Sequence, residues 1–152
     1  MYIQIYTDGA CSNNPGPGGW AAIIIIKNKI TEIHGFEDNT TNNRMELTAS
    51  IKSLQFIKNN MQLDKVKRID IYTDSAYVAN AINQKWLKKW YLKDWMSKTG
   101  TKIKNIDLWT QLYDLLQETN CNINFIKIKG HSGNLLNEEV DKIAKQMSKN
   151  IY

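Results

Sequence analysis

The tripeptide Tyr-Thr-Asp occurs twice, at 6–8 and at 72–74, each time closing an apolar run, "YIQIYTD" and "VKRIDIYTD". In the first run Ile3, Ile5 and Thr7 fall on one side, as the two-residue period of a strand requires. Between the two runs, Leu47, Ile51, Leu54 and Met61 recur at spacings of four, three and seven residues, which is a one-sided helix. Strand, helix and strand in that order predict a parallel pair joined by a right-handed crossover. In an open sheet with parallel strands, ligands gather beyond the carboxyl ends. Asp8 and Asp74 both stand at such an end, so neighbouring strands bring the two carboxylates side by side.

The remaining pattern fills in an α/β fold. "GACSNNPGPGG" reads as a loop in which the first strand stops at "DG", and "WAAIIIIKNKITEIHGF" as two further strands about a turn at 27–29, making an antiparallel meander with the first. "SAYVANAI" fits a short helix, "IDLWTQLYDLLQET" a helix with a broad apolar face, "CNINFIKIKG" a fifth strand, and "NLLNEEVDKIAKQMSKN" a last helix facing inward through Leu136, Val140, Ile143, Ala144 and Met147. The expectation is a five-stranded mixed sheet, three antiparallel strands followed by two parallel additions, flanked by helices. The 152 residues form a single domain with a basic protrusion at about 83–104, since no repeat or linker divides them.

Composition matters mainly for what it excludes. The longest apolar run, Trp20 to Ile26, is far short of a membrane span. The opening residues show no basic region before an apolar stretch, so the expected location is the cytoplasm, with no membrane partner. Cys11 and Cys121 are the two cysteines, without a CxxC, which leaves neither a redox motif nor a zinc cluster. The net charge of +5 suits a polyanionic partner. Its distribution says more: seven lysines and one acidic residue, Asp94, lie between Lys85 and Lys104.

Each candidate carboxylate also has a plain structural reading. Asp8 suits an Asp-Gly turn, and Asp74, just before Ser75, can cap the following helix. Glu46 stands three residues after Asn43, the spacing of a capping box, and Asp141 one helical turn before Lys145, the spacing of a surface pair. Geometry favours a joint role. Glu46, in the first turn of the long helix, leans over the edge that holds Asp8 and Asp74. Like charges gathered so closely raise one another's pKa unless a cation neutralises them. Oxygen ligands without clustered histidine or cysteine suit Mg²⁺ or Mn²⁺ rather than Zn²⁺.

The blocks "IYTDGACSNNPGPGGWAAII", "TTNNRMEL", "YTDSAYV", "NIDLWTQL" and "IKGHSGNLLNEEVDKIA", in this order over nearly the whole chain, resemble bacterial ribonuclease HI of the type 1 ribonuclease H family. The resemblance implies an endonuclease that hydrolyses the RNA strand of RNA/DNA hybrids with two Mg²⁺ ions, Mn²⁺ being a possible substitute, and leaves 5'-phosphate and 3'-hydroxyl ends. It implies a monomer with no obligate protein partner. The family's metal-binding carboxylates fall on Asp8, Glu46, Asp74 and Asp141. Its histidine, which assists proton transfer or product departure, falls on His131 in a glycine-flanked loop. Asn14, Asn42, Asn43 and Asn105 are placed among groups touching sugars or phosphates, with Thr41 in a phosphate pocket on the DNA strand.

"KWLKKWYLKDW" is similar to the family's basic handle. Trp86 and Trp90, four apart, are expected to form an apolar foot that turns Lys88, Lys89 and Lys93 outward to phosphates. Tyr91 and Leu92 stand where the better-known form is basic, Ala76 replaces a glutamine and Glu139 an arginine. These departures bear on rate, salt response and metal preference. A transposase, integrase or junction-resolving core shares the carboxylate chemistry, but the Asn-rich loops and the handle favour hybrid cleavage. A silent nucleic-acid-binding module has no reason to keep all four carboxylates.

Overall fold

The computed structural model describes residues 1–130 and 133–149. Its five strands, β1 (Tyr2–Cys11), β2 (Gly16–Ile26), β3 (Lys29–Thr40), β4 (Arg68–Thr73) and β5 (Asn122–Lys127), form one sheet in the order β3-β2-β1-β4-β5. The first three are antiparallel, and β4 and β5 add in parallel. The helices are α1 (Asn42–Asn60), α2 (Ala76–Asn83), α3 (Trp86–Leu92), α4 (Ile106–Thr119) and α5 (Leu135–Lys149). Among the described residues, no helix is long and apolar enough to cross a membrane.

The sheet is covered on both faces, which explains why "WAAIIII" reads as a continuous apolar run rather than an alternating one. On one face Ile3, Ile5, Ile69 and Ile71 meet Leu47, Ile51, Leu54 and Ile57 of α1 and Trp109 and Leu112 of α4. Each such fully buried side chain stabilises the fold by about 2 kcal/mol relative to exposure. On the other face Tyr6, Ala21 and Ile23 pack against Val140, Ile143 and Ala144 of α5. Gly19 makes that approach possible: a Cβ there would lie 2.5 Å from the Ala144 carbonyl oxygen and 2.6 Å from the Ser148 nitrogen. The glycines of "PGPGG" therefore serve helix packing as well as the turn.

The strands run further than the sequence pattern indicates. β1 does not stop at "DG"; its antiparallel ladder continues from Asp8↔Ala21 through Gly9↔Trp20 to Cys11↔Gly18. The first strand is central, so β2 keeps pairing with it after β4 has left. The parallel ladder ends at Tyr6↔Tyr72, and Asp8 and Asp74 stand two residues beyond it. Both are thus at a strand end with respect to the parallel pair, while the Asp-Gly turn reading of Asp8 fails.

α1 also starts differently. Thr41 is its N-cap, with Oγ1 accepting from the Arg44 N–H at 3.3 Å, and its first turn holds no acidic residue. A capping box of Asn43 and Glu46 is excluded because the cap lies two residues earlier, which moves Glu46 to the second turn. Ser75, rather than Asp74, caps α2 by accepting from the Val78 N–H.

Candidate active site

Gly9 sets the geometry. A Cβ at this position would lie 2.5 Å from the Met45 carbonyl carbon, 2.8 Å from Met45 Cβ, and against the Glu46 nitrogen. Only glycine lets α1 pass this close to β1, and that contact brings Glu46 beside Asp8. A glycine inside a strand pattern is a signal of close backbone approach, but "DG" also spells a turn, and the turn reading hid it. Glu46 is buried, with 5% of its surface exposed, and Asp8 with 3%.

Carboxylate oxygens of Asp8, Glu46 and Asp74 all lie within 4.8 Å of one another. The Gly9 N–H donates to Asp8 Oδ1 at 2.9 Å. Among the described residues Glu46 Oε1 has no hydrogen-bond partner despite being buried, and such an atom costs on the order of 1–3 kcal/mol or more unless something meets it. A hard cation fits this donor set: three convergent oxygens, one of them otherwise unsatisfied, with no nitrogen or sulfur ligand among the three. Gly130 closes the side of the cluster, where a Cβ would come within 3.2 Å of Asp74 Oδ2.

Asp141, from the second turn of α5, lines the same cleft of about 460 Å³ but stands outside the tight group of three. Its Oδ2 accepts from Lys145 Nζ at 3.0 Å, so the surface-pair reading and the cleft reading are both correct. Cys11, Ser12, Lys145, Ser148 and Lys149 line the rest of the cleft. Cys11 and Ser12 reach it because β1 runs on past Asp8, and Lys145, Ser148 and Lys149 because α5 crosses there, with Ser12 Oγ 3.5 Å from the Ser148 carbonyl; neither is written in a local pattern.

Burial, followed by the charge of Asp74, pushes the Asp8 carboxyl up from 3.8 to about 7, although its hydrogen bonds with Glu46 and Gly9 oppose the rise. Burial and then the negative charge of Asp8 raise Glu46 well above the ordinary carboxylate range. In the metal-free protein the folded state therefore keeps a proton on this cluster that the unfolded chain releases near pH 4. More protons bound in the folded state mean that stability falls as pH rises. Metal-free thermal stability is expected to decline from about pH 4 through pH 7 as Asp8 gives up its proton, by on the order of a few kcal/mol, and the raised Glu46 carboxyl acts in the same direction. Added Mg²⁺ at pH 8 should reverse the loss. Melting curves across pH in EDTA and in Mg²⁺ check this, and a flat metal-free profile would refute it.

Around the cleft, Asn14 Oδ1 accepts from the Asn42 N–H at 3.0 Å, tying the β1–β2 loop to the start of α1. Asn42 and Asn43 are exposed and Thr41 is half-buried. Asn105 precedes α4, in the left-handed conformation with φ of 62°. Lys88, Lys89 and Lys93 are all exposed on or just after α3. His131 lies outside the described residues.

The foot of the handle is not the expected pair. Trp90 packs edge-on against Trp109, with ring centroids 5.4 Å apart, and Leu87 is buried beside it, but Trp86 is 42% exposed. Trp86, the first residue of this seven-residue helix, instead lines a shallow surface groove with Lys89, Trp90 and Met96. The buried stripe is Leu87 and Trp90, three apart, in place of Trp86 and Trp90. Tyr91 adds to it by stacking on Tyr113 at 4.3 Å, so a position that carries charge in the better-known form here fastens the handle to α4.

The family model described as RNase H matches residues 1–149. The chain belongs to the ribonuclease H family. Its relatives are of the bacterial type 1 kind. Ribonuclease H of Caldicellulosiruptor saccharolyticus is 49% identical over 147 residues, which cover 97% of this chain and 96% of that protein. Ribonuclease H of Caldanaerobacter subterraneus subsp. tengcongensis is 46% identical over 147 residues, 97% of this chain and 91% of the other. Among solved structures, a type 1 RNase H with the type 2 active-site motif superposes with a TM-score of 0.82 at 23% identity, over 97% of this chain and 72% of that one. At that identity the likeness speaks for the ribonuclease H fold alone.

Proposed function

We propose that this chain is a metal-dependent endoribonuclease that hydrolyses the RNA strand of RNA/DNA hybrids, leaving 5'-phosphate and 3'-hydroxyl ends, and that it works as a cytoplasmic monomer. The observation that carries the reading is the buried carboxylate cluster of Asp8, Glu46 and Asp74, in which Glu46 Oε1 has no protein partner. Curated relatives named ribonuclease H, at 49% and 46% identity over almost the whole chain, support the same activity.

In this reading Asp8, Glu46 and Asp74, whose oxygens converge, and Asp141 across the cleft would hold two Mg²⁺ ions, Asp8 serving both, Glu46 and Asp74 one of them and Asp141 the other. When bound, the ions lower the pKa of an attacking water and stabilise the oxyanion that departs. The chain's own residues do the positioning. Gly9 and α1 hold Glu46 in place, and the Gly9 N–H fixes the orientation of Asp8. Lys145 holds Asp141 at the cleft through its 3.0 Å pair, and Asp141 would be the fourth carboxylate to hold metal. His131 assists proton transfer or product departure. Asn14, Asn42, Asn43, Thr41 and Asn105 meet the backbone of a hybrid in its shallow minor groove, where 2'-hydroxyls distinguish RNA from DNA.

The reading is tested by comparing labelled RNA/DNA hybrid, duplex RNA, duplex DNA and single-stranded RNA with Mg²⁺, Mn²⁺ and EDTA. Cleavage of the RNA strand in the hybrid alone, abolished by EDTA, is the expected result, and equal cleavage of duplex DNA would replace it with a recombinase-type activity.

The handle makes a separate prediction. If Lys88, Lys89 and Lys93 meet phosphates, changing all three to glutamine weakens hybrid binding most at low salt. The slope of log affinity against log salt then drops by roughly 0.7–0.9 per lost contact. Hybrid and duplex DNA should weaken alike, since a lysine reads charge and not the 2'-hydroxyl. Affinities at four or more salt concentrations decide it, and an unchanged slope would make these lysines a solvated face.

A further inference from the structure

α1 starts at the carboxylate cleft, where Asn42 forms part of the lining, and Arg44 ties the start of α4 to it. The Arg44 backbone N–H donates to Thr41 Oγ1. Its guanidinium forks onto Asp107 in the first turn of α4, Nη1 to Oδ1 at 2.9 Å and Nη2 to Oδ2 at 2.6 Å, and Nη1 also donates to Asn105 Oδ1 at 3.2 Å. Asn105 gives α4 no side-chain cap. Its amide is engaged elsewhere: Nδ2 donates to the Tyr77 hydroxyl at 3.0 Å, the oxygen that also accepts from Trp109 Nε1 at 3.0 Å.

This network decides which polar ends remain free. With Oδ1 of Asn105 taken by the guanidinium and one hydrogen of Nδ2 given to Tyr77, Asn105 has a second N–H left to offer. Thr41 already accepts through its oxygen, so its hydroxyl proton is left. Each residue thus keeps one donor that the network does not use, and the complementary ligand is an acceptor-only group such as a backbone phosphate. Without Arg44, nothing in the network distinguishes the two ends of the Asn105 amide except Tyr77, whose hydroxyl can donate as well as accept. The fork itself carries little net charge to a ligand, because Asp107 neutralises it. Asp107 is 58% exposed, and a surface pair of this kind adds only about 0–1 kcal/mol to stability.

We propose that Arg44 is a positioning residue of the nucleic-acid rim. Its guanidinium holds Asn105 with the amide donor facing a phosphate of the bound strand, while its backbone does the same for the Thr41 hydroxyl, and Arg44 itself touches no substrate. The proposal rests on the hybrid-binding reading given above. It assigns a role to a residue whose charge would otherwise suggest a direct phosphate contact.

The test is a double-mutant cycle. Binding of an uncleavable hybrid, with 2'-O-methyl RNA paired to DNA, is measured for wild type, Arg44→Met, Asn105→Ala and the double variant, at several salt concentrations. Arg44→Met should weaken binding about tenfold, as a misplaced donor does, and with the wild-type salt slope. In the Asn105→Ala background the same change should cost less than about twofold, because Arg44 acts through Asn105. Arg44→Lys keeps the charge but loses the fork, so it should resemble Arg44→Met, and it carries the same comparison if melting curves show that Arg44→Met is unfolded. Additive losses, a slope reduced by about one unit, or full rescue by lysine would overturn the positioning role. A wild-type protein that does not bind the hybrid at all would instead overturn the hybrid-binding reading, and this proposal with it.

Discussion

Asp8→Asn should all but abolish cleavage of RNA/DNA hybrid, to below about a hundredth of wild type, while making the metal-free protein more stable. The two effects have one origin. The oxygens of Asp8, Glu46 and Asp74 converge, so under the proposed mechanism an amide at Asp8 removes an oxygen anion that bound metal would need. In the absence of metal the same amide relieves repulsion and can donate to Glu46 Oε1, which has no partner. Its own oxygen keeps the bond from the Gly9 N–H. The gain depends on pH with a definite sign. Because the Asp8 carboxyl is pushed up to about 7, it is protonated at pH 5 and the substitution there is nearly neutral. At pH 8 it is charged, and the variant should melt several degrees above wild type. Turnover with saturating Mg²⁺ and melting curves at both pH values, in EDTA, are the measurements. Activity above about a tenth of wild type would remove Asp8 from the metal site, and a variant less stable at pH 8 would refute the crowding argument.

Gly9→Ala is expected to damage stability and activity together. The added carbon would lie 2.5 Å from the Met45 carbonyl carbon and against the Glu46 nitrogen, both of them backbone that cannot swing aside. Either α1 lifts off β1 or β1 bends. Overpacking of this kind costs ~3 kcal/mol or more, which for a chain of this size lowers the melting temperature by roughly 6–12 °C. Activity should fall further than stability accounts for, since Glu46 moves with its helix and a displacement near 1 Å costs about a hundredfold. Activity measured well below the variant's own melting temperature separates the two contributions. By contrast Gly133→Ala, at a position with φ of 86° and nothing within 4 Å, should cost only backbone strain, about 1 kcal/mol. A Gly9→Ala variant as mild as Gly133→Ala would show that α1 does not depend on this contact.

Much of the site was legible because carboxylates at repeated strand ends are a local pattern with a global consequence. The two "YTD" segments, a helix between them, and the rule that crossovers are right-handed place Asp8 and Asp74 together without any coordinates. Glu46 was legible as a residue at the rim but not in its manner of getting there. The capping-box spacing from Asn43 competed with a cap at Thr41, and side-chain caps one or two residues apart have nearly the same sequence signature. Asp141 could be paired with Lys145 by spacing alone. Its share in the cleft depended on α5 crossing the sheet, which no local pattern encodes.

By itself, then, the sequence determined the number and order of the strands, the parallel addition of β4 and β5, the helices that cover the sheet, and the all-oxygen, carboxylate character of the site, because each follows from periodicity, handedness or side-chain chemistry within short segments. Only the tertiary structure decided how closely those segments meet. It shows that "DG" is a strand passing under a helix rather than a turn, that Glu46 Oε1 is left without a protein partner, that Leu87 and Trp90 rather than Trp86 and Trp90 seat the handle, and that Arg44 spans from α1 to α4. These facts depend on contacts between residues up to 63 positions apart along the chain. Such contacts are chosen by the packing of the whole molecule, in which a missing Cβ or a single buried oxygen counts for as much as an apolar stripe.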